Sequence, residues 1–346
     1  MKSYHLVPVL VLIIFISIFI ISYFITEVSD SLVVSQDGGI PAINTINEFK
    51  EKKKVVLVFT GDVMLGRKVM IDSLKKDDPL YPFRNVSDKL HDSDITFINL
   101  ETPIIKDCPE FESGFTFCAD PRMVDGLTFS GVDVVSLANN HTTNFGQVGF
   151  NETIKIIKDS NIEAVGYNNL AIKEVAGTLF GFLGFDLVSN VPQLEYLNLI
   201  TQSKEKVDYL TVGVHWGEEY EAKGNAFQRD WGIKYLEAGA DTVVGHHPHW
   251  VQDMECFRKD SNGKVFSVLR TSVTRSEKES QCDLSSHRIY YSLGNLIFDQ
   301  MWSEETKKGL VVRLTFEEGN LIKEEFLPTY IPVFGQPVFV GSEVKN

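Results

Sequence analysis

The sequence predicts an α/β protein behind an N-terminal membrane span, and three observations carry that prediction. Short apolar, strand-like runs alternate with helical segments up to about residue 250, the pattern of α/β layers, and the tail beyond is richer in strand. Five of those runs end in residues that carry oxygen or nitrogen ligands. The chain also begins with a long apolar stretch, Leu6 to Ile25, that contains no charge.

That stretch is about 20 residues long, enough to cross a bilayer. Lys2 precedes it, and Glu27 and Asp30 follow it, which orients residues 1–5 toward the cytoplasm. A cleaved signal peptide is the alternative. The run exceeds a usual h-region and no small-x-small site follows Ile25 cleanly, which favours an uncleaved signal anchor over 6–25. Residues 26–49 read as a linker, with Asp37-Gly38-Gly39 and Pro41 breaking any period. Residues 50–346 form the folded domain. The expected location is the cell membrane, single-pass, with the C-terminal domain outside the cytoplasm.

Composition narrows the partners. The chain has 346 residues, is 43% hydrophobic, as packed globular proteins are, and carries a net charge of −14. That charge argues against a nucleic-acid binder, which needs a basic face. It leaves an anionic substrate possible, because a bound cation inverts the local field. The four cysteines, Cys108, Cys118, Cys256 and Cys282, allow three connectivities. The sequence-local pairing, Cys108–Cys118 and Cys256–Cys282, would staple two loop-rich inserts. An exported domain favours the oxidised form over free thiols. No C-x-x-C spacing points to a cysteine zinc site.

The domain opens with Val55-Val56-Leu57-Val58-Phe59, a continuous apolar run suited to a strand buried on both faces, and it leads to Gly61-Asp62. An aspartate there forms a site or caps a helix. Ile95 to Leu100 is a second strand and delivers Glu101. Asp133 to Leu137 is a third and delivers Asn140 and His141; asparagine alone is a common turn residue. Gln147 to Ser160 is helical, with Phe150, Ile154 and Ile157 on one face. Thr178 to Phe185 is another apolar run. Tyr209 to Val214 is a strand delivering His215, with Trp216 and Glu219 just beyond. Those two either shape a substrate pocket or serve as a core aromatic and a helix start. Phe227 to Ala238 is a helix, with Phe227, Trp231 and Tyr235 at four-residue steps. Asp241 to Val244 leads to Gly245-His246-His247-Pro248-His249, where three of the chain's eight histidines fall within five residues. Tyr290 to Asp299 reads as one strand, and Leu310 to Phe316 as a half-buried one.

Five strand ends bearing ligands in chain order are hard to explain by core packing. In α/β sheets such ends line one edge, where ligands bind. The candidate metal ligands are Asp62, Glu101, Asn140, His215, His246, His247 and His249. A mixed oxygen and nitrogen set suits Mn²⁺, Zn²⁺ or Fe²⁺, as one or two ions, better than Ca²⁺ or Mg²⁺.

The stretches Phe59-Thr60-Gly61-Asp62-Val63-Met64-Leu65-Gly66, Asn99-Leu100-Glu101-Thr102-Pro103, Ala138-Asn139-Asn140-His141, His215-Trp216-Gly217-Glu218-Glu219-Tyr220, Gly245-His246-His247-Pro248-His249 and Ser292-Leu293-Gly294-Asn295 together resemble the CapA (PgsA) capsule-synthesis family. That family is similar to calcineurin-like metallophosphoesterases. The resemblance implies a four-layer α/β/β/α sandwich and a role in poly-γ-glutamate capsule biosynthesis. It implies a metal-dependent hydrolase-like domain or, alternatively, a non-catalytic assembly or export subunit working with other membrane capsule-synthesis subunits. By the same resemblance, Asp62 is the first-motif ligand, Glu101 the bridging carboxylate and Asn140 the amide ligand. His141 is the catalytic acid, His215 the lone histidine ligand, and His247 with His249 the closing pair. A histidine is expected two residues after the first aspartate; this chain has Met64.

Overall fold

The computed structural model describes residues 53–272 and 282–341. The anchor over 6–25 and the linker over 26–49 lie outside the described residues. No helix among the described residues is long and apolar enough to cross a membrane.

The chain lays down one sheet, then a second, then returns to the first. Strands β1 (Lys54–Val63), β2 (Ile95–Leu100), β3 (Val134–Ser136) and β4 (Glu163–Val165) pair in parallel in that order. The second sheet takes β5 (Ala171–Val175), β6 (Thr178–Asp186), β7 (Tyr209–His215), β8 (Thr242–His246), β9 (Met254–Lys259), β10 (Val265–Thr271) and β11 (His287–Tyr290). Its order is β10-β9-β11-β8-β7-β6-β5, with β11, β8, β7 and β6 mutually parallel. Strands β12 (Asn295–Ile297), β13 (Lys308–Glu317), β14 (Asn320–Val333) and β15 (Gln336–Phe339) then extend the first sheet beside β1.

Three apolar cores separate four layers. Phe59, Phe97, Phe182, Val244, Tyr290 and Val312 fill the space between the sheets, with Phe97 stacked on Phe182 at 5.7 Å. On the outer face of the first sheet lie α1 (Arg67–Lys75), α2 (Ser87–His91), α3 (Val124–Phe129) and α4 (Gly146–Asp159). Their Met70, Leu90, Leu127 and Ile157 pack on Val58, Ile98 and Val135. Outside the second sheet, α5 (Leu194–Lys204) and α6 (Ala226–Ala238) bring Ile200, Tyr235 and Leu236 onto Leu210, Val212 and Val243. Central strands covered on both faces are predominantly apolar, which is why β1 carries the unbroken run Val55–Phe59 and β2 is apolar except for Thr96 and Asn99.

Three expectations change. The segment read as one strand from Tyr290 to Asp299 is two: β11 ends at Tyr290 in the second sheet, and β12 joins β1 in the first. Gly294 permits the crossing; its φ is +66°, and a Cβ there would sit 2.6 Å from the Lys308 carbonyl oxygen. Strand β13 is buried on both faces, because β1 and β14 flank it and cores lie on either side. In α6 the buried face is Gln228, Gly232, Tyr235 and Leu236, while Phe227 is 40% exposed. Asn225 accepts from the Gln228 N–H at 2.9 Å and Gln228 caps Asn225 in return, which sets the rotation of that helix.

Both sequence-local disulfides are present, with Cα separations of 5.8 Å for Cys108–Cys118 and 6.1 Å for Cys256–Cys282. Between the sheets, Arg288 of β11 donates to Glu324 of β14 at 3.0 Å, and Tyr290 donates to the same carboxylate; all three are almost fully buried. Removing one partner leaves an uncompensated buried charge. Glu324→Ala should therefore lower unfolding free energy by about 3–5 kcal/mol in a urea titration. Arg288→Met combined with Glu324→Leu should recover most of that loss. A single variant as stable as the wild type would contradict the assignment.

Candidate metal centre

Local backbone geometry aims the ligands. The pairing of β1 with β2 shifts register between Phe59 and Asp62, and Asp62 then stands opposite Asn99. On the second sheet His215 and His246 are register partners on adjacent parallel strands, so their side chains share one direction. Beyond β8 the chain turns sharply. His247 has φ +96° and His249 φ +57°, conformations that non-glycine residues adopt mainly where surrounding structure imposes them.

Asp62 sits at the centre and is fully buried. One carboxylate oxygen accepts from Asn99 Nδ2 at 2.9 Å and lies 3.0 Å from His246 Nδ1. The other accepts from the His247 backbone N–H at 3.2 Å and lies 3.2 Å from His249 Nδ1. Burial alone would raise this carboxyl, but the hydrogen bonds from His246 and His249 hold it well below the usual carboxylate range. Glu101 is just as buried and less well served. Its Oε1 accepts from Asn99 Nδ2 at 3.0 Å, whereas Oε2 has no hydrogen-bond partner. Burial, then the neighbouring charge of Asp62, push the Glu101 carboxyl well above its ordinary range.

The imidazoles are set by amides. Asn144 Oδ1 accepts the Phe117 N–H at 2.7 Å and lies 3.2 Å from His141 Nδ1, so Nδ1 carries the proton and Nε2 is bare. Phe117 stacks on His141 with centroids 3.9 Å apart. His249 Nδ1 lies 3.0 Å from Asn295 Oδ1, whose own amide nitrogen donates to Gln300 and Thr306. His215 Nε2 is 3.0 Å from Asn140 Oδ1, and its Nδ1 is 3.3 Å from Asn99 Nδ2. Burial lowers the His215 pKa well below its ordinary value. Burial also brings His141 down to about 4, as it does His247 with help from His249. These three rings are neutral at pH 7, the form in which histidine binds metal.

The structure therefore gathers Asp62, Glu101, Asn140, His141, His215, His246, His247 and His249 at one edge. One buried atom without a hydrogen-bond partner, Glu101 Oε2, fits a cation ligand, while His246 meets Asp62 through Nδ1. Ligand atoms of Asp62, Glu101 and His249 lie within 4.8 Å of one another, as do those of Glu219, His247 and His249. Trp216 does not line the pocket: it is fully buried in the outer core, its indole N–H donating to the Tyr291 carbonyl at 2.9 Å. Asn99, Asn144 and Asn295 went unassigned in the sequence. Asn99 had a usable signal, standing two residues before Glu101 and hence on the same face of the strand. Asn144 had none. Met64 is buried in the first core, and its sulfur accepts the Gly66 N–H at 3.1 Å.

A family model described as bacterial capsule synthesis protein PGA_cap matches residues 56–300. The capsule biosynthesis protein CapA of Bacillus anthracis is 28% identical over 302 residues, covering 79% of this chain and 67% of that protein. The PGA biosynthesis protein CapA of Bacillus subtilis is 27% identical, covering 73% and 66%. The chain thus spans about two thirds of the length of these relatives. A putative 5′-nucleotidase from Staphylococcus aureus, solved with α-ketoglutarate, overlays with a TM-score of 0.44 at 13% identity, covering 84% of this chain and 55% of that one. With the family model matched over most of its length, the chain belongs to the bacterial capsule synthesis family PGA_cap.

Proposed function

We propose that this protein is a membrane-anchored, exported component of capsule or poly-γ-glutamate biosynthesis whose folded domain is a metal-dependent, hydrolase-like centre acting on an anionic cell-surface polymer. The observation that carries the reading is Glu101 Oε2, fully buried, unpartnered and beside the buried Asp62. Two carboxylates desolvated together, facing neutral imidazoles, call for a cation. Family membership supports the capsule context. The two disulfides and the apolar run Leu6–Ile25 support an exported, anchored domain. The helix/sheet/sheet/helix layering is the arrangement expected of a metallophosphoesterase-like domain.

Asp62, Glu101, Asn140, His215, His247 and His249 would hold one or two ions of Mn²⁺, Zn²⁺ or Fe²⁺. Such an ion supplies Lewis acidity toward water and a substrate oxygen. His141, with Nδ1–H committed to Asn144, offers Nε2 to take up a proton and pass it to a leaving oxygen. One observation favours a second reading, a non-catalytic assembly subunit: Met64 turns into the core, so the end of β1 supplies one ligand fewer than the resemblance implies.

The full-length protein, solubilised and stripped of metal, should bind Mn²⁺ or Zn²⁺ stoichiometrically. A sample that stays metal-free in both titrations would sink the metal reading. In cells, His247→Ala with His249→Ala should abolish surface polymer at unchanged protein level. Unchanged polymer would favour the scaffold reading.

Acid should destabilise the metal-free protein. His141 and His247 fall from 6.5 to about 4 on folding, and burial moves His215 in the same direction. The unfolded chain therefore binds more protons, and stability drops as pH falls through 6.5 toward 4. Glu101 works the other way, its contribution full below 4.5 and lost as pH rises through its folded value. Three histidines outweigh one carboxylate between pH 6.5 and 4.5. The unfolding free energy from urea titration should fall from pH 7 to pH 5, by on the order of 2 kcal/mol for each of His141 and His247 and further in the same direction through His215. A midpoint that rises on acidification would contradict the assignment.

A further inference from the structure

We propose that Glu219 is itself a metal ligand. With His247 and His249 it forms an outer cation position beside the inner one at Asp62 and Glu101. The proposal rests on the reading that this centre holds metal, and deepens it by naming the ligand at its mouth.

The geometry begins with the loop that follows β7. Its start is held by the Trp216 N–H on the His246 carbonyl at 3.1 Å, and by the buried indole on the Tyr291 carbonyl at 2.9 Å. Its end is held by the Tyr220 N–H on the Pro248 carbonyl at 2.8 Å, with Tyr220 at φ +65°. The loop is thus pinned across the His247-Pro248-His249 turn at both ends. Glu219 lies between those anchors, and one of its carboxylate oxygens comes within 4.8 Å of a ring nitrogen on each of His247 and His249. Trp216 therefore has a role after all, as an anchor for Glu219.

Charge argues in the same direction. Glu219 adds to the upward push on Glu101, so three carboxylates converge on one edge. Arg67, at the rim, is already paired with Asp299. Both oxygens of Asp62 are occupied by protein donors, which limits what the inner set can offer a second ion. Two imidazoles and a carboxylate are a ligand set that Zn²⁺, Mn²⁺ and Fe²⁺ all accept. Three protein ligands leave a coordination position open, as a site that works on substrate requires. Glu219 is exposed where Asp62 and Glu101 are fully buried, so the outer position should be the weaker and more readily exchanged.

The test compares full-length wild type with Glu219→Gln, both stripped of metal, by calorimetric titration with Mn²⁺ and with Zn²⁺ and by counting bound metal after desalting. Glu219→Gln should weaken the weaker binding step by about tenfold or more. The metal-free melting curve should not move, because the side chain is exposed. Glu219→Asp should restore part of the affinity. Wild-type and Glu219→Gln isotherms that superimpose would overturn this proposal alone. A wild type that binds neither metal would overturn the metal reading on which it stands.

Discussion

The Asp62 carboxylate is the interaction on which the rest of the edge depends. It is a buried charge, and a buried charge persists only where it is fully hydrogen-bonded. Its partners come from both sheets: Asn99 from β2, and His246, the His247 N–H and His249 from the end of β8. One carboxylate therefore ties the first sheet to the second at the edge where the parallel strands end. The positive φ values of His247 and His249 are what bring that turn's N–H and imidazole back onto Asp62.

Satisfying Asp62 has a consequence for its neighbour. Asn99 Nδ2 is shared between the two carboxylates, and the donors of the β8 turn go to Asp62. Glu101 keeps an oxygen with no partner in a place water cannot reach. Around this imbalance the amides of Asn140, Asn144 and Asn295 fix how the imidazoles face. Asn144 and Asn295 each hold Nδ1 of a ring, in His141 and His249, and leave Nε2 for metal or proton, the usual division of labour around a metal-binding histidine, whereas His215 meets an amide at both nitrogens.

The rim is built from a part of the chain that looks irregular. The segment closed by Cys108–Cys118 returns Phe117 onto His141, and its backbone N–H shares Asn144 Oδ1 with that ring. Arg67 lies over the Phe117 ring at 4.5 Å and donates to the Gly114 carbonyl. A disulfide that shortens a loop thereby also orders the side chain expected to move a proton.

The α/β class and the ligand-bearing strand ends were legible because burial on both faces forces unbroken apolar runs, and local pattern records that directly. Asp62, Glu101, Asn140, His141, His215 and the 246–249 cluster could be named because each follows such a run. The sequence-local disulfides could be named because they close short loops. Local pattern could not show which way Trp216 turns, since an aromatic beside a site and one beneath it read alike. Nor could it place Asn295, whose amide acts on the His249 ring 46 residues away, or Asn144, whose reach back to His141 depends on how the intervening turn folds. The split of Tyr290–Asp299 between two sheets was hidden for the same reason: a glycine at φ +66° lets the chain cross, and only the packed partner strands decide where each half goes. Residue type thus determined which groups can bind a cation, while tertiary packing decided which of them meet, because convergence depends on register and side-chain direction across two sheets.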